Sequence, residues 1–336
     1  MKLKNFKRFI VLLGVFALLG SLSSLASVVS AADNEVQGSA VVEGVNYRIV
    51  GRTSGKLLDP STSSTVVQMG LNKVTSEKWN FVAVSDGYYK IVNSSSNKVM
   101  DVSADGIILA DDSGSNSQNW GLVNAVGGYF KIVNRDSGKV LDVLQNSTAD
   151  GAKIIAYNDT NASNQQWYIA REIKGNVTYT LVKSANPTAD QLDAYERITR
   201  AMDTTVKYYN NFTDFSKHLT IYYRPGVPTA EGSFNGTISF GTNRGFMVPA
   251  TAMHETGHTM GVGQNSVYAS LMSTRIWQGA NATAELRSIT GKNTDEIHGD
   301  RNHFWPYGLN QASEVKSDAD YINHCRIVYA MKKDGM

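Results

Sequence analysis

The chain has 336 residues, of which 42% are hydrophobic, 18% charged and one a cysteine. A single cysteine excludes an intrachain disulfide framework, so the fold must rest on core burial, and the length suits two domains of ordinary size. The formal net charge of +2 is carried by the N-terminus: residues 1–31 hold four basic and no acidic residues, and the remainder has 28 basic against 30 acidic, which excludes a strongly basic nucleic-acid-binding protein.

Lys2, Lys4, Lys7 and Arg8 form a basic leader before the apolar run 9–19, and Val29-Ser30-Ala31 offers a small-residue cleavage site. This is the pattern of an export signal over 1–31. The apolar run is short for a bilayer span, and no second run approaches that length. The expected product is a secreted, extracellular monomer without a membrane anchor.

Residues 45–170 carry a threefold repeat. Unit one reads Tyr47-Arg-Ile-Val, then Gly55-Lys-Leu-Leu-Asp59, then Glu77-Lys-Trp79. Unit two reads Tyr89-Lys-Ile-Val-Asn93, Asn97-Lys-Val-Met-Asp101 and Gln118-Asn-Trp120. Unit three reads Phe130-Lys-Ile-Val-Asn134, Gly138-Lys-Val-Leu-Asp142 and Gln165-Gln-Trp167. Short β-type runs separated by Ser, Asn, Asp and Gly turns recur in each unit.

Residues 44–171 therefore resemble a ricin-type β-trefoil lectin domain. The resemblance implies that the three tryptophans are core residues. It also implies sugar sites built from an Asp, an aromatic platform and polar residues just before the last Trp. Unit three holds all of these in Asp142, Tyr157, Asn164 and Gln165. Ala110 and Met69 fall at the platform positions of units two and one, so one working site is expected, in unit three. In the other two units the Asp residues are expected to brace turns.

After a linker near 171–187, Val177–Val182 reads as a strand. Thr188 to Tyr209 reads as a helix, with Leu192, Tyr195, Ile198, Met202, Val206 and Tyr209 at helical spacing. Leu219–Tyr223 and Gly236–Gly241 read as strands. The second is either a sheet edge able to pair with an extended peptide or a plain internal strand.

His254-Glu255-Thr256-Gly257-His258 follows. Two histidines four apart on a helix project from one face, where both imidazoles can reach one Zn²⁺. Zinc lowers the pKa of its water to roughly 7, and a neighbouring carboxylate, Glu255, can take that water's proton as it attacks a peptide carbonyl. Catalytic zinc needs a third protein ligand. The metzincin continuation fails, because Gln264 stands where a histidine belongs. His303 is the favoured third ligand, with His298, Glu285 on the helix-like 281–287, and Gln264 as alternatives. His-Phe-Trp-Pro-Tyr-Gly-Leu-Asn (303–310), together with the His-Glu-x-x-His segment, resembles secreted bacterial zincin-like proteins fused to ricin-type modules. That resemblance pairs the two segments in one site. Tyr307 is a candidate oxyanion stabiliser, or else an aromatic packed beside Phe304-Trp305-Pro306. Met272, His218, His324 and Cys325 read as structural.

The expected architecture is multidomain: an all-β trefoil followed by an α+β zincin-like domain over 176–336. The expected function is a zinc metalloendopeptidase brought by its lectin module to glycans or glycoproteins. A carbohydrate-binding lectin with a non-catalytic zinc domain is the alternative, and a hydrolase of non-peptide amides is a further rival.

Overall fold

The structure, a computed structural model, describes residues 41–60, 64–71 and 76–336. The export-signal segment 1–31 lies outside the described residues. Everything described belongs to one compact unit.

Twelve strands follow the repeat, four per unit. Unit one contributes β1 (Tyr47–Gly51), β2 (Leu57–Asp59), β3 (Val67–Met69) and β4 (Trp79–Ala83). Unit two contributes β5 (Tyr88–Asn93), β6 (Val99–Ser103), β7 (Gly106–Ala110) and β8 (Asn119–Asn124). Unit three contributes β9 (Phe130–Asn134), β10 (Val140–Val143), β11 (Ala152–Tyr157) and β12 (Trp167–Arg171). The first and last strands of the units pair in a closed ring, β1–β4–β5–β8–β9–β12 and back to β1. The middle strands form three hairpins, β2–β3, β6–β7 and β10–β11, that meet across one end. A six-stranded ring capped by three hairpins is a β-trefoil.

Trp79, Trp120 and Trp167 are fully buried in its core. Each indole N–H donates to the equivalent carbonyl of its own unit, Leu58, Met100 and Leu141, at 3.2, 3.0 and 3.1 Å. A buried indole must satisfy its one donor, and the threefold repeat solves that need three times over. The tryptophans are therefore structural, as the resemblance implied.

A helical region with a small sheet follows. Its strands are β13 (Asn176–Val182), β14 (Ser216–Tyr223), β15 (Ala230–Gly232) and β16 (Thr237–Phe240). The sheet order is β13–β14–β16–β15, parallel except for antiparallel β15. The segment 236–241, read as a possible sheet edge, is thus paired on both sides. The edges are β13 and β15, and β15 lacks the apolar alternation that marks a strand.

Helix α1 (Ala189–Phe212) starts at Thr188, whose hydroxyl accepts from the Gln191 amide while Gln191 returns a bond to the Thr188 amide. Its apolar stripe is buried except for Val206, which is partly buried, and Leu192, which is exposed. Then come α2 (Pro249–Met260), α3 (Ser266–Leu271), α4 (Ala280–Thr290), the two-residue pair β17 (His298–Gly299) and β18 (Phe304–Trp305), and α5 (Asp318–Lys333). Among the described residues no helix is long and apolar enough to cross a membrane.

The trefoil is docked on this region through units one and three. Arg48 stands where units two and three have Lys90 and Lys131, which pair with Asp112 and Asp159 at the surface. Arg48 is instead buried and donates to Asn211 of α1 at 2.5 Å. Val50, Leu57, Tyr129 and Tyr168 of the trefoil join the same apolar cluster as α1, α2 and α5. The Arg326 guanidinium lies 4.1 Å over the Tyr168 ring and is held by Glu285 at 2.5 Å. This buried Arg–carboxylate pair sits at the seam.

Candidate functional site

Helix α2 carries the two spaced histidines, and every residue from Ala250 to Met260 is buried. Pro249 opens the helix, where a missing N–H costs nothing. Gly261 ends it at φ 127°, and Val262 then turns its carbonyl back to the His258 ring. Gly257 does not require its small size: a Cβ there would meet His324 and Tyr209 at 3.7 Å, ordinary contact.

His254, His258 and His303 converge, with ligand atoms all within 4.8 Å of one another. Each ring is oriented through Nδ1. His254 Nδ1 donates to the Gly308 carbonyl at 3.0 Å and His258 Nδ1 to the Val262 carbonyl at 2.8 Å. His303 Nδ1 faces Asp300 at 3.2 Å. A carbonyl only accepts, so in His254 and His258 the hydrogen sits on Nδ1 and a bare lone pair on Nε2. Those two Nε2 atoms lie 3.1 Å apart. Two lone pairs at that distance repel unless a cation stands between or beside them. Burial pushes the His254 pKa down to about 3, with His258 adding to it, and lowers His258 as well, so a proton is a poor candidate for that cation. The donor set therefore fits a divalent metal that would be held by three imidazoles.

His303 reaches the pair because of two features the sequence reading passed over. Asp300 accepts from the amides of Asn302 and His303 at 2.8 and 2.7 Å, which folds the loop and aims the ring. Burial would raise the Asp300 carboxyl, but these bonds and the His303 ring hold it below its usual range. Gly263, at φ 66°, lies against the Asn302 backbone, so the loop can rest on the end of α2. The signal for Asp300 was its place three residues before His303.

The other candidate ligands lie elsewhere. His298 is exposed and pairs across the hairpin with Trp305. Glu285 is buried in its pair with Arg326. Gln264 is exposed in the turn after α2. Met272 is core, as expected, in contact range of the Gly299 backbone.

Glu255 is 4% exposed, beside the triad on the same helix. Burial pushes its carboxyl up to about 7, the Gly232 amide opposes this and Glu231 reinforces it. Gly232 belongs to the edge strand β15 and comes so close that a Cβ would sit 2.3 Å from the Glu255 carbonyl oxygen. A carboxyl near neutrality can both take and return a proton.

Tyr307 shares a wall with His254 and His303. Burial raises its hydroxyl, and the groups acting on it are Tyr129, Asp320, Arg326 and Arg52, none of them a member of the triad. Its surroundings are those of an aromatic packed at the trefoil seam. His324, read as an ordinary histidine, lies buried beneath the site: Nδ1 donates to the Tyr307 carbonyl at 2.8 Å, and Nε2 faces the Tyr209 hydroxyl at 2.9 Å. His218 is exposed between Thr178 and Thr180.

A second cluster sits on the trefoil. Asp142 accepts from Asn164 Nδ2 at 3.1 Å and Gln165 Nε2 at 2.7 Å. Tyr157 pairs with Val140, two residue pairs from Asp142 and so on the same face, and is half exposed. Burial raises the Asp142 carboxyl, against the pull of Gln165 and Asn164. Gln165 was expected to contact a ligand. It is fully buried, and its amide bonds Asp142, the Asn158 carbonyl and Thr160. It therefore holds Asp142 in place rather than facing a ligand.

No curated protein matches this chain. A model of the ricin-type beta-trefoil lectin domain-like family matches residues 36–112 and 116–209, just over half of the chain. The chain belongs to this family.

Among solved structures, the designed 3-fold symmetric protein ThreeFoil is 41% identical, with a TM-score of 0.36 over 37% of this chain and 97% of that one. An exo-beta-1,3-galactanase from Clostridium thermocellum is 33% identical, with a TM-score of 0.37 over 40% of this chain and 32% of that one. The ricin B-like lectin of Macrolepiota procera, solved with lactose, is 18% identical, with a TM-score of 0.36 over 40% of this chain and 99% of that one. The chain thus spans about a third of the galactanase. Within this ricin-type trefoil the three units are unequal. Ala110 pairs with Val99 and Met69 with Leu57, the register of Tyr157 with Val140, so units two and one lack the aromatic. Unit two keeps the Asp101–Gln118 bond at 3.0 Å. Unit one puts the buried Glu77 where unit three has Gln165, and Asp59 Oδ1 is buried without a hydrogen bond.

Proposed function

We propose that this protein is a secreted zinc metalloendopeptidase whose trefoil binds glycan. The observation that carries the reading is the convergence of His254, His258 and His303 beside the buried Glu255. His254, His258 and His303 would hold the metal through their Nε2 atoms. When bound, Zn²⁺ supplies Lewis acidity toward a water and a carbonyl oxygen. Glu255 takes a proton onto its carboxylate and returns it to the departing amine, a role that suits a carboxyl near neutrality. An extended peptide fits the free edge of β15, whose Gly232 already touches Glu255. The trefoil contributes Asp142 and Asn164 for sugar hydroxyls and Tyr157 for the apolar face of the ring. Export through the N-terminal signal would place both activities outside the cell.

Zinc stoichiometry and peptide hydrolysis, measured on the mature chain and on Glu255→Gln, test this. One zinc per chain in both, with hydrolysis lost by at least ~10²-fold in the variant, is the expected result. A second reading, a lectin with a non-catalytic metal domain, is favoured by the family match, which falls mainly on the trefoil. Zinc binding without hydrolysis of any peptide by the unsubstituted chain would establish it.

A further inference from the structure

Beside the triad opens a cavity of about 630 Å³, with His254 and His303 among its lining residues. Trp305 lines it and is 46% exposed, whereas Trp79, Trp120 and Trp167 are fully buried and Trp277 is 2% exposed. A Trp left in solvent next to a candidate reaction centre forgoes burial of the largest apolar side chain available. The rest of the rim is polar. Asn310, Glu314, Lys316 and Asp320 all line the cavity. Glu314 and Asp320 each use one oxygen to fix a local turn: Glu314 accepts from the Gln311 amide at 2.9 Å, and Asp320 from the Lys316 amide at 2.7 Å. Their orientation is therefore set, and among the described residues the second oxygen of each has no hydrogen bond. The Lys316 ammonium likewise has none.

A plain apolar side chain would gain nothing from a rim of amide, carboxylates and ammonium, and would have to desolvate them. A sugar ring suits both parts. Its hydroxyls donate and accept, matching the mixed rim, while its C–H face covers an indole. The trefoil cluster repeats the same chemistry with Tyr157 as the aromatic, Asp142 as the carboxylate and Asn164 as the amide.

We propose that this cavity is a sugar subsite, with Trp305 as its platform, so that the preferred substrate is a peptide glycosylated on a residue flanking the scissile bond. The proposal builds on the peptidase reading, because it places the sugar beside the metal.

The test is a binding measurement on the mature Glu255→Gln chain carrying Tyr157→Ala, an exposed change that removes the trefoil platform. Intrinsic fluorescence is followed during titration with a short peptide bearing one O-linked N-acetylgalactosamine, with the same peptide without sugar, and with the free sugar. Trp305 is the one solvent-exposed indole among the described residues, so it dominates any ligand-induced shift. The expected result is a shift with the glycopeptide at an affinity at least about tenfold above that of the bare peptide. Trp305→Ala removes both the shift and the difference. Equal affinities for the two peptides, no shift with any ligand, or a difference that survives Trp305→Ala would each overturn the proposal. Hydrolysis is read separately on the chain with Glu255 intact. Absence of hydrolysis with the sugar-dependent shift retained would sink the peptidase reading and leave the sugar pocket standing.

Discussion

Gly263 lies against Asn302 so closely that a Cβ on it would sit 2.4 Å from the Asn302 carbonyl oxygen and 2.6 Å from its Cα. Asn302 is the neighbour of His303, so this contact sets how far the third imidazole stands from the pair on α2. Gly263→Ala should therefore separate His303 from His254 and His258. Zinc affinity should fall by at least ~10-fold while the circular dichroism of the chain stays the same. Unchanged affinity, measured by competition with a chelator, would mean that the loop reaches the site without this contact.

Asp300 orients His303 from behind. In Asp300→Ala the ring loses its partner and the loop loses the carboxylate oxygen that accepts from two of its amides. A drop of ~10- to 100-fold in zinc affinity is expected, the usual scale for removing the group that orients a ligating histidine. His298→Ala is the control and should leave affinity as it was, since His298 is exposed and outside the triad.

His324 makes a prediction about pH. Burial pushes its pKa from the ordinary 6.5 down to about 4, opposed by the Tyr307 and Met253 carbonyls and reinforced by His258, with the Tyr209 hydroxyl against Nε2. The unfolded chain thus takes up this proton more readily than the folded one. The associated stability is complete above pH 6.5 and is lost as the pH falls toward about 4. His324→Gln should flatten that slope by up to about 1.4 kcal/mol per pH unit. Urea midpoints across this window, compared between the two chains, would show parallel curves if His324 does not carry the effect.

The seam between trefoil and helical region offers a paired test. Gly55 and Gly138 occupy the same repeat position at φ 69° and 67°. A Cβ on Gly55 would sit 1.9 Å from the Ala319 amide nitrogen, whereas a Cβ on Gly138 meets open space. Gly138→Ala should cost only the left-handed strain, about 1 kcal/mol. Gly55→Ala should cost that and the backbone clash as well, on the order of 2–4 kcal/mol, and should expose the seam to proteolysis. Equal effects would show that the seam is not held at this point.

The sequence by itself determined the trefoil, because a repeat of strand-forming runs and tryptophans admits few packings. Three repeated units bury three indoles only by closing on one another, and each Trp finds its carbonyl within its own unit. It also placed His254 and His258 together, because residues four apart on a helix share a face whatever the helix packs against. Neither signal depends on long-range contacts.

The sequence favoured His303 but left His298, Glu285 and Gln264 open; only the tertiary structure brings His303, and none of the other three, against His254 and His258. That choice depends on which loop the end of α2 can touch. The contact of Gly263 with Asn302 and the short hairpin that leaves His298 exposed join residues far apart in sequence. The same reason hid the edge strand: β15 pairs because β16 and Glu255 lie beside it, not because its own residues favour a strand. It also hid the burial of Arg48, whose equivalents Lys90 and Lys131 pair at the surface. A repeat shows which positions are equivalent, but which of them are covered depends on the surface against which the trefoil is packed.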